Sequence, residues 1–214
     1  MQFIYEKDIS PLMQISGDNY KYLIKVRRLK IGDNVNITDF NKIYSFEIIE
    51  ITKKEVKLKQ IEEIKANQTL KPFHIGWCKI ETKNIEKVLP SLNEIGVTKI
   101  TFIDCDRSQG NFKLKMDRIE KILINSNQQC GRLSMMEIEF CESLDKFLDK
   151  YPDSKICDFG GEKISEYFEV GVVGCEGGFS DRERKLFKDT ISFDTPLILR
   201  SESAVVSLAS KVLL

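Results

Sequence analysis

The residues with the clearest chemical potential lie in the stretch GCEGGFSDRE, residues 174 to 183, directly after the apolar run VGVV. Its glycines allow a sharp bend and let a ligand approach the main chain, while Ser180 and Glu183 have the spacing of a helix capping box. The order G-V-V-G-C-E-G-G matches neither a P-loop nor a dinucleotide-binding fingerprint. It predicts a strand, a glycine loop and a helix that bind something other than phosphate. A tight turn that serves only the fold is the alternative.

A second candidate is PLILRSESAVVSLAS, residues 196 to 210, where an apolar run predicted to be a strand leads into Arg200, Ser201, Glu202 and Ser203. The serines could simply cap the helix that follows. A cation and a carboxylate at a strand end favour a functional site, because ligands of open α/β sheets bind outside the carboxyl ends of the strands.

A third candidate is NSNQQCGR, residues 125 to 132, at the end of a long predicted helix. Gly131 suits the end of that helix, and Arg132 could reach an anion or a carbonyl group. The alternative is an ordinary surface arginine.

A fourth candidate is YKYLIKVRRLKIGD, residues 20 to 33, which has five basic residues and no acidic residue up to position 32. Basic residues beside Tyr20 and Tyr22 favour RNA binding, and the alternative is a solvated face of an amphipathic helix. The candidate RNA-binding residues are Lys21, Lys25, Arg27, Arg28 and Lys30.

Composition narrows the class of protein without naming it. The 214 residues allow one or two domains, and 33 basic residues balance 33 acidic ones, so only local charge can indicate a polyanionic partner. Six cysteines without a C-x-x-C pair and a single histidine argue against a zinc site. Without a secretory signal or an apolar run near ~18 residues, the sequence predicts a cytoplasmic chain with reduced thiols and no membrane segment.

Hydrophobic periodicity predicts two regions. Up to about residue 66, the short alternating segments MQFIYE, DNVNITD, YSFEIIEIT and EVKLKQIEEI predict the strands of a small β-barrel. The polar KANQTLKP, residues 65 to 72, is the candidate linker. Beyond it, apolar strands alternate with helices, which predicts an α/β domain with a parallel sheet and helices on both faces. The predicted strands are FHIGWCKI, KITFIDC, SKICDFG, EVGVVG and PLILR, and the helices include TKNIEKVLPSLNEIG, SLDKFLDKY and RERKLFKD.

Taken in order, these stretches resemble the RsmE family of bacterial methyltransferases that act on small-subunit ribosomal RNA. GCEGGFSDRE is similar to the family's G-P-E-G-G-F-S-x-x-E, and LILRSESA is similar to its R-I-L-R-x-E-T-A. YKYLIKVRRLKIGD resembles H-x-x-x-V-L-R-x-x-x-G-D, and NEIGVTKI, DRS and QCGR resemble the family's E-L-G-V, R-S and Q-S-x-R segments. The resemblance covers nearly the whole chain.

Several positions depart from the family pattern. The N-terminal segment has no histidine, Ser91 falls where a lysine usually precedes E-L-G-V, and Cys175 and Ser203 replace a proline and a threonine. Thr195 and Leu197 stand where the family commonly has a glycine and an arginine. These two lie in a loop expected to contact the cofactor, so they bear on cofactor affinity more than on the fold.

The resemblance implies a fold, a reaction and partners. The fold would be a PUA-like RNA-binding barrel over residues 1–68, followed by a SPOUT methyltransferase domain with a trefoil knot over residues 72–214. The reaction would transfer a methyl group from S-adenosylmethionine to N3 of a specific uridine in 16S rRNA, without a metal. The protein would be a cytoplasmic homodimer acting on the small ribosomal subunit, with no membrane partner.

The resemblance also implies roles for residues. Arg132 and Arg200 would stabilise charge on the uracil carbonyl groups, and Glu202, with Glu176 second, is the candidate base. Both glutamates could instead organise backbone amides or the dimer interface. The candidate cofactor-binding residues are Gly174, Glu176, Gly177, Gly178, Thr195, Leu197, Ile198, Leu199 and Ser203.

Three other functions stay open at this point: a ribosome-binding or assembly module without cofactor affinity, a SPOUT RNA methyltransferase with another target, and an unrelated α/β enzyme that uses a nucleotide. Titration with S-adenosylmethionine separates the first from a methyltransferase, and titration with NAD or ATP tests the last. The target nucleotide, the base and the stage of subunit assembly are not determined by the sequence.

Overall fold

The computed structural model describes residues 3–108, 110 and 112–214, so Met1 and Gln2 of the predicted first strand lie outside the described residues. The described chain divides into two compact units. One contains the chain up to Thr69 together with Ile124–Met135, and the other contains Leu70–Leu123 with Met136–Leu214. The division is therefore not between two contiguous ranges.

The first unit is built on a five-stranded sheet in the order β1-β3-β4-β5-β2. Its strands are β1 (Ile4–Tyr5), β2 (Leu12–Ser16), β3 (Asn34–Thr38), β4 (Ile43–Ile51) and β5 (Glu55–Ile64). The β1–β3 pair is parallel and the other pairs are antiparallel. Alternating side chains bury one face, as expected for strands that cover a core. The sequence pattern missed β2.

The segment with the basic cluster is helical. A short α-helix, α1 (Gly17–Tyr20), continues as a π-helix over Lys21–Val26, and Arg28 then adopts a left-handed φ of 58°. Tyr20 and Leu23 are buried in the core of the unit, and the Tyr20 hydroxyl donates to the carbonyl oxygen of Thr52 at 2.9 Å. Tyr20 is therefore a core residue and not an RNA-stacking side chain.

The second unit has a six-stranded sheet in the order β11-β9-β10-β6-β7-β8, and all its pairs are parallel. Its strands are β6 (His74–Cys78), β7 (Lys99–Ile103), β8 (Glu137–Cys141), β9 (Lys155–Lys163), β10 (Val170–Val173) and β11 (Thr190–Ser192). β6 and β10 are nearly fully buried, as expected for central parallel strands. The sequence pattern missed β8.

The longer helices are α2 (Thr82–Ile95), α3 (Met116–Cys130), α4 (Leu144–Lys150) and α6 (Ser201–Leu213). α2 ends at Gly96, whose φ of 107° suits the left-handed position after a helix. The predicted helix RERKLFKD is reduced to α5 (Asp181–Arg184), and the chain continues through i to i+3 turns up to Phe187.

The predicted strand PLILR, residues 196 to 200, is wrong. The strand at the edge of the sheet beside β9 is β11, and residues 196 to 200 form no strand. Pro196 has no amide hydrogen, and the amide of Leu197 donates to the Thr195 side chain at 3.2 Å instead of to a neighbouring strand. Leu197 and Ile198 are 71% and 80% exposed, so the apolar run does not enter the sheet.

Two cysteines differ from the sequence prediction of reduced thiols. Cys78, at the end of β6, and Cys105, just after β7, form a disulfide. The two strands are parallel neighbours, and this brings their carboxyl ends together. Cys130, Cys141, Cys157 and Cys175 are free thiols.

A polar network lies at the opposite end of the sheet, around the chain's single histidine. His74 Nε2 is 2.8 Å from Thr101 Oγ1, which donates to Glu139 at 3.0 Å, and Lys99 forms an ion pair with Glu139 at 2.8 Å. Burial, with a smaller contribution from the charge of Lys99, lowers the pKa of His74 to about 4. The native state therefore holds this imidazole neutral.

This pKa predicts acid-sensitive stability. The unfolded chain protonates His74 near its ordinary pKa of 6.5 and the folded protein only near 4. Between pH 6.5 and 4 protons therefore bind the unfolded state more than the folded state. The free energy of unfolding should fall by up to about 3 kcal/mol as pH decreases through this range. Below pH 4 His74 should cause no further change. Urea titrations at successive pH values measure it.

The variant His74→Gln is the matched comparison, because it removes the only imidazole. Its stability should be lower at pH 7 and its pH slope between 6.5 and 4 should be clearly smaller. Parallel slopes for both proteins would exclude His74 as the cause.

Candidate active site

The second unit contains a cavity of about 550 Å³ at the carboxyl ends of β9 and β10. Three segments supply most of its walls: residues 157–160 of β9, residues 173–179 at the end of β10 and after it, and residues 192, 193 and 195–199 between β11 and α6. Arg184 of α5 and Ser201 and Ala204 of α6 complete them. The volume falls within the range of small-molecule sites. The two turns singled out in the sequence thus line one cavity.

The glycine loop has the geometry that its residues predict. The amide of Gly178 donates to the carbonyl oxygen of Cys175 at 2.9 Å, and Gly178 has a left-handed φ of 63°. A Cβ atom on Gly174 would lie 3.2 Å from the Phe179 ring. Side chains are therefore disfavoured at Gly174 by packing and at Gly178 by backbone conformation.

The capping box is present at the start of α5. The Ser180 hydroxyl accepts from the Glu183 amide at 3.1 Å, and the Glu183 carboxylate accepts from the Ser180 amide at 2.8 Å. The second carboxylate oxygen of Glu183 accepts from the amide of Asp106 at 2.9 Å. The hydrogen bond from Arg182 is the main cause that lowers the pKa of Asp106 to about 2.

The loop after β7 holds the glycine loop in place. Arg107 donates to the carbonyl oxygen of Gly177 at 2.9 Å, and the Cys175 thiol lies 3.1 Å from the carbonyl oxygen of Arg107. Arg107 belongs to the DRS stretch, for which the sequence indicated no contact. Its contact with the glycine loop depends on the tertiary structure and could not be predicted from the sequence.

The ionisable groups of the cavity wall offer no site for phosphate. The one arginine in the wall, Arg184, is paired with Asp158 at 2.7 Å, and no lysine lines the cavity in the part of the chain described. Burial raises the pKa of Cys157 to about 12 and also raises that of Cys175, so both thiols stay protonated near neutral pH. Neither is therefore an activated nucleophile.

The predicted cofactor-binding residues are brought together with one exception. Gly174, Glu176, Gly177, Gly178, Thr195, Leu197, Ile198 and Leu199 line the cavity, whereas Ser203 does not. Ser203 is exposed and lies on α6 beyond Ser201, so the serine of this helix that reaches the wall is Ser201. Residues 157–160 also line the cavity but were not predicted to do so, although SKICDFG was a predicted strand whose end lies at this edge.

Arg200 and Glu202 flank Ser201 at the start of α6. Arg200 is the N-cap residue, its side chain is exposed, and no side-chain cap hydrogen bond is formed there. Glu202 is half-buried, and its Oε2 atom is buried without a hydrogen-bond partner among the described residues. A buried carboxylate oxygen without a hydrogen-bond partner is unfavourable by itself. Neither residue lines the cavity as described.

Arg132 belongs to the first unit and is not a surface arginine. It is 4% exposed, and its Nε atom donates to the carbonyl oxygen of Ser134 at 2.9 Å. Burial lowers its pKa to about 10. The Gln68 side chain contacts the peptides on either side, accepting from the amide of Leu133 at 2.7 Å and donating to the carbonyl oxygen of Gly131 at 3.2 Å. The predicted linker therefore holds this loop.

The predicted RNA-binding residues lie together on the surface of the first unit. All five are exposed, and the exposed apolar side chains of Val26 and Ile31 lie among them in the chain. Lys21 pairs with Asp18, whereas the other four form no ion pair with any described residue. This basic cluster, defined as Lys21, Lys25, Arg27, Arg28 and Lys30, thus presents mostly uncompensated positive charge.

The described residues contain no helix long and apolar enough to cross a membrane. They also contain no group of three or more histidine, cysteine, aspartate or glutamate side chains that could hold a metal ion.

Comparison with known proteins gives the class. Residues 66–213 match the model of the RNA methyltransferase domain, and residues 15–61 match that of the RNA methyltransferase PUA domain. The matches, the fold and the cavity thus define a SPOUT-type RNA methyltransferase with an N-terminal PUA domain, as the family resemblance implied. The relatives narrow the class further.

The ribosomal RNA small subunit methyltransferase E of Helicobacter pylori is 40% identical over 225 residues, covering 98% of both chains. The chain belongs to the ribosomal RNA small subunit methyltransferase E family, RsmE. A Neisseria gonorrhoeae structure of that name, bound to S-adenosyl methionine, has a TM-score of 0.77 at 19% identity over 98% of this chain and 95% of that one. A probable rRNA methyltransferase from Porphyromonas gingivalis superposes with a TM-score of 0.83 at 19% identity and the same coverage.

Proposed function

We propose that this protein transfers a methyl group from S-adenosylmethionine to N3 of a uridine in 16S rRNA of the small ribosomal subunit. The observation that carries the proposal is the cavity formed by the glycine loop and residues 195–199 in a chain of the RsmE family. The alternatives are another target nucleotide and a ribosome-binding role.

The cavity fits S-adenosylmethionine better than a nucleotide phosphate. Its glycines expose backbone groups, Leu197, Ile198 and Leu199 offer apolar contact, and its single arginine is already paired. An adenosine group with no phosphate requires this combination and not a lysine. Gly174, Gly177, Gly178 and the 195–199 segment would hold the cofactor, which when bound supplies a methyl group activated by a sulfonium.

The chain's own groups must deal with a proton and a charge. N3 of uracil carries a proton that has to be removed, and the negative charge then spreads over the two flanking carbonyl groups. We assign proton removal to Glu202, with Glu176 as the second candidate, and charge stabilisation to Arg200. Well-placed donors of this kind act through fixed electrostatics, and holding the reactants in line could contribute up to about 7 to 11 kcal/mol.

The first unit would position the RNA. N3 takes part in Watson–Crick pairing, so the target uridine must be unpaired or displaced before reaction. The exposed basic cluster offers unpaired cations for the phosphate backbone and would hold the RNA while the base is presented. This would be a division of labour between the first unit, which binds RNA, and the second unit, which binds the cofactor.

The division predicts separable variants. The double variant Lys25→Ala, Arg28→Ala should weaken RNA binding by about tenfold at moderate salt and reduce its salt dependence, because two phosphate contacts are lost. S-adenosylmethionine affinity should not change. Filter binding at several salt concentrations and calorimetric cofactor titrations measure the two properties. Loss of cofactor binding would contradict the division.

Arg28 offers an internal control for folding. Its φ of 58° is unfavourable for a side chain with a Cβ atom, so Arg28→Gly should keep or raise thermal stability while still weakening RNA binding. Lys53→Ala, at an exposed lysine outside the cluster, is the matched comparison and should leave RNA binding nearly unchanged.

We further propose that the protein works as a homodimer in the cytoplasm, where ribosomal subunits are found. Leu197, Ile198 and Phe159, at the cavity, are each at least 71% exposed, and such apolar groups favour coverage by another surface. Sedimentation velocity at micromolar concentration tests the dimer, and a monomer with full activity would contradict it.

The decisive experiment uses small subunits from cells that lack this gene, purified protein and methyl-labelled S-adenosylmethionine, followed by nucleoside analysis of the RNA. Label in N3-methyluridine is the expected result. Label in another nucleoside would keep the methyltransferase and change the target. No label, together with saturable subunit binding, would favour the ribosome-binding role and direct attention to Thr195 and Leu197.

A further inference from the structure

Ser201 connects the two loops that line the cavity. Its hydroxyl is 2.5 Å from the carbonyl oxygen of Gly174, where β10 ends, and 2.8 Å from the indole Nε1 of Trp77 in β6. Ser201 is also the first residue of α6, directly after the 195–200 segment. Trp77 is fully buried and Ser201 is 5% exposed. One side chain therefore links the centre of the sheet, the glycine loop and α6.

The chemistry of the groups fixes the direction of these hydrogen bonds. An indole N–H can only donate and a carbonyl oxygen can only accept. The Ser201 oxygen therefore accepts from Trp77, and its own proton goes to Gly174. Buried hydrogen bonds in such a chain strengthen one another, and a buried donor that loses its partner is costly. The Gly174 peptide is thus held in one orientation against the first turn of α6.

This use of Ser201 differs from the one that its position suggests. A serine at the start of a helix normally caps it, but the N-cap of α6 is Arg200 and no side chain caps the helix there. The hydroxyl is committed to a tertiary contact instead. In the family segment R-I-L-R-x-E-T-A this position is the unspecified one, so the motif gave no indication of it.

We propose that Ser201 and Trp77 are positioning residues that set the separation of the glycine loop and α6, and through it the affinity for the cofactor. The proposal rests on the proposed function, because the cavity must bind S-adenosylmethionine. Trp77 does not line the cavity, so it acts through Ser201 and Gly174 and not by contact.

The proposal predicts a specific kinetic pattern. Ser201→Ala should raise the Kd and the KM for S-adenosylmethionine by about tenfold, the effect of one buried hydrogen bond, while kcat at saturating cofactor changes little. Ser201→Thr, which retains the hydroxyl, should restore most of the affinity. Ser207→Ala, on the same helix but away from the cavity wall, is the matched control and should bind the cofactor like the unmodified protein.

A double-variant cycle separates positioning from general damage to the core. Trp77→Phe removes the indole donor and also lowers thermal stability, because a large buried side chain is reduced. If Trp77 acts through Ser201, the cofactor Kd of the double variant should equal that of Ser201→Ala alone. Independent, multiplying effects on Kd would contradict the relay.

Trp77 also provides a direct spectroscopic test, because it is the only tryptophan in the chain. A ¹⁵N-labelled sample should show a single indole N–H cross peak, which should shift on S-adenosylmethionine addition and move upfield in Ser201→Ala. The proposal would be overturned if the indole peak of Ser201→Ala did not shift, or if this variant bound S-adenosylmethionine as tightly as the unmodified protein. Absence of cofactor binding to the unmodified protein would instead contradict the proposed function, and the positioning role with it.

Discussion

Replacing Arg200 by alanine should reduce kcat for methyl transfer by about 10²- to 10³-fold, the effect of removing one donor to a developing oxyanion. Its side chain is exposed at the start of α6 and forms no ion pair with any described residue, so the folded state has little need of it. Stability should change by no more than about 0.5 kcal/mol. Single-turnover rates on small subunits and thermal melting measure both properties.

The pattern of kinetic constants identifies the role of Arg200. An interaction made only in the transition state lowers kcat and kcat/KM together and leaves the KM for S-adenosylmethionine unchanged. Arg200→Lys should recover only part of the rate, because an ammonium cannot reproduce the planar donors of a guanidinium. Lys211→Ala, which removes a cation from the last turn of the same helix, should keep full activity. Equal loss of activity and stability in Arg200→Ala would make this arginine structural.

Replacing Glu202 by glutamine should lower kcat by about 10²- to 10⁴-fold, as expected when a positioned base is lost. Glutamine keeps the shape of the side chain but cannot take the N3 proton. The buried Oε2 atom has no hydrogen-bond partner among the described residues, so the substitution breaks no hydrogen bond to them at that atom. Stability should therefore be close to that of the unmodified protein, and the rate loss can be attributed to chemistry.

The pH dependence of the variant distinguishes a base from an organising residue. Without Glu202, the uracil imide must lose its proton to solvent, so the rate of Glu202→Gln should rise with pH more steeply than that of the unmodified enzyme. Glu176→Gln, at the exposed glutamate of the glycine loop, is the matched comparison. A large loss there with none at Glu202 would move the base to Glu176. A dissociated dimer in Glu202→Gln would assign this residue to the interface.

The sequence by itself determined the local structure at the site. The glycines at 174, 177 and 178 demanded a bend, Ser180 and Glu183 had the spacing of a capping box, and both features are present in the structure. These properties depend on residues within four positions of one another, so a one-dimensional pattern contains them. The same holds for the basic cluster, whose exposure follows from its own charge.

Tertiary structure decided which segments meet and what each polar group is used for. Residues 157–160 join the cavity because β9 lies beside β10, and Cys78 meets Cys105 because β6 lies beside β7. No periodicity records which strands are neighbours. Strand periodicity likewise predicted a strand over residues 196 to 200, since it records only that these residues are apolar and not what covers them.

Ser201 shows the physical reason most directly. Its position at a helix start predicts that its hydroxyl caps the helix. Instead, the hydroxyl donates to the carbonyl oxygen of Gly174, 27 residues away, and accepts from the indole of Trp77, 124 residues away. A hydroxyl has one proton to donate, and the partner that receives it depends on distances that only the folded chain sets. The sequence determined that a polar group stands there, and the fold determined its use.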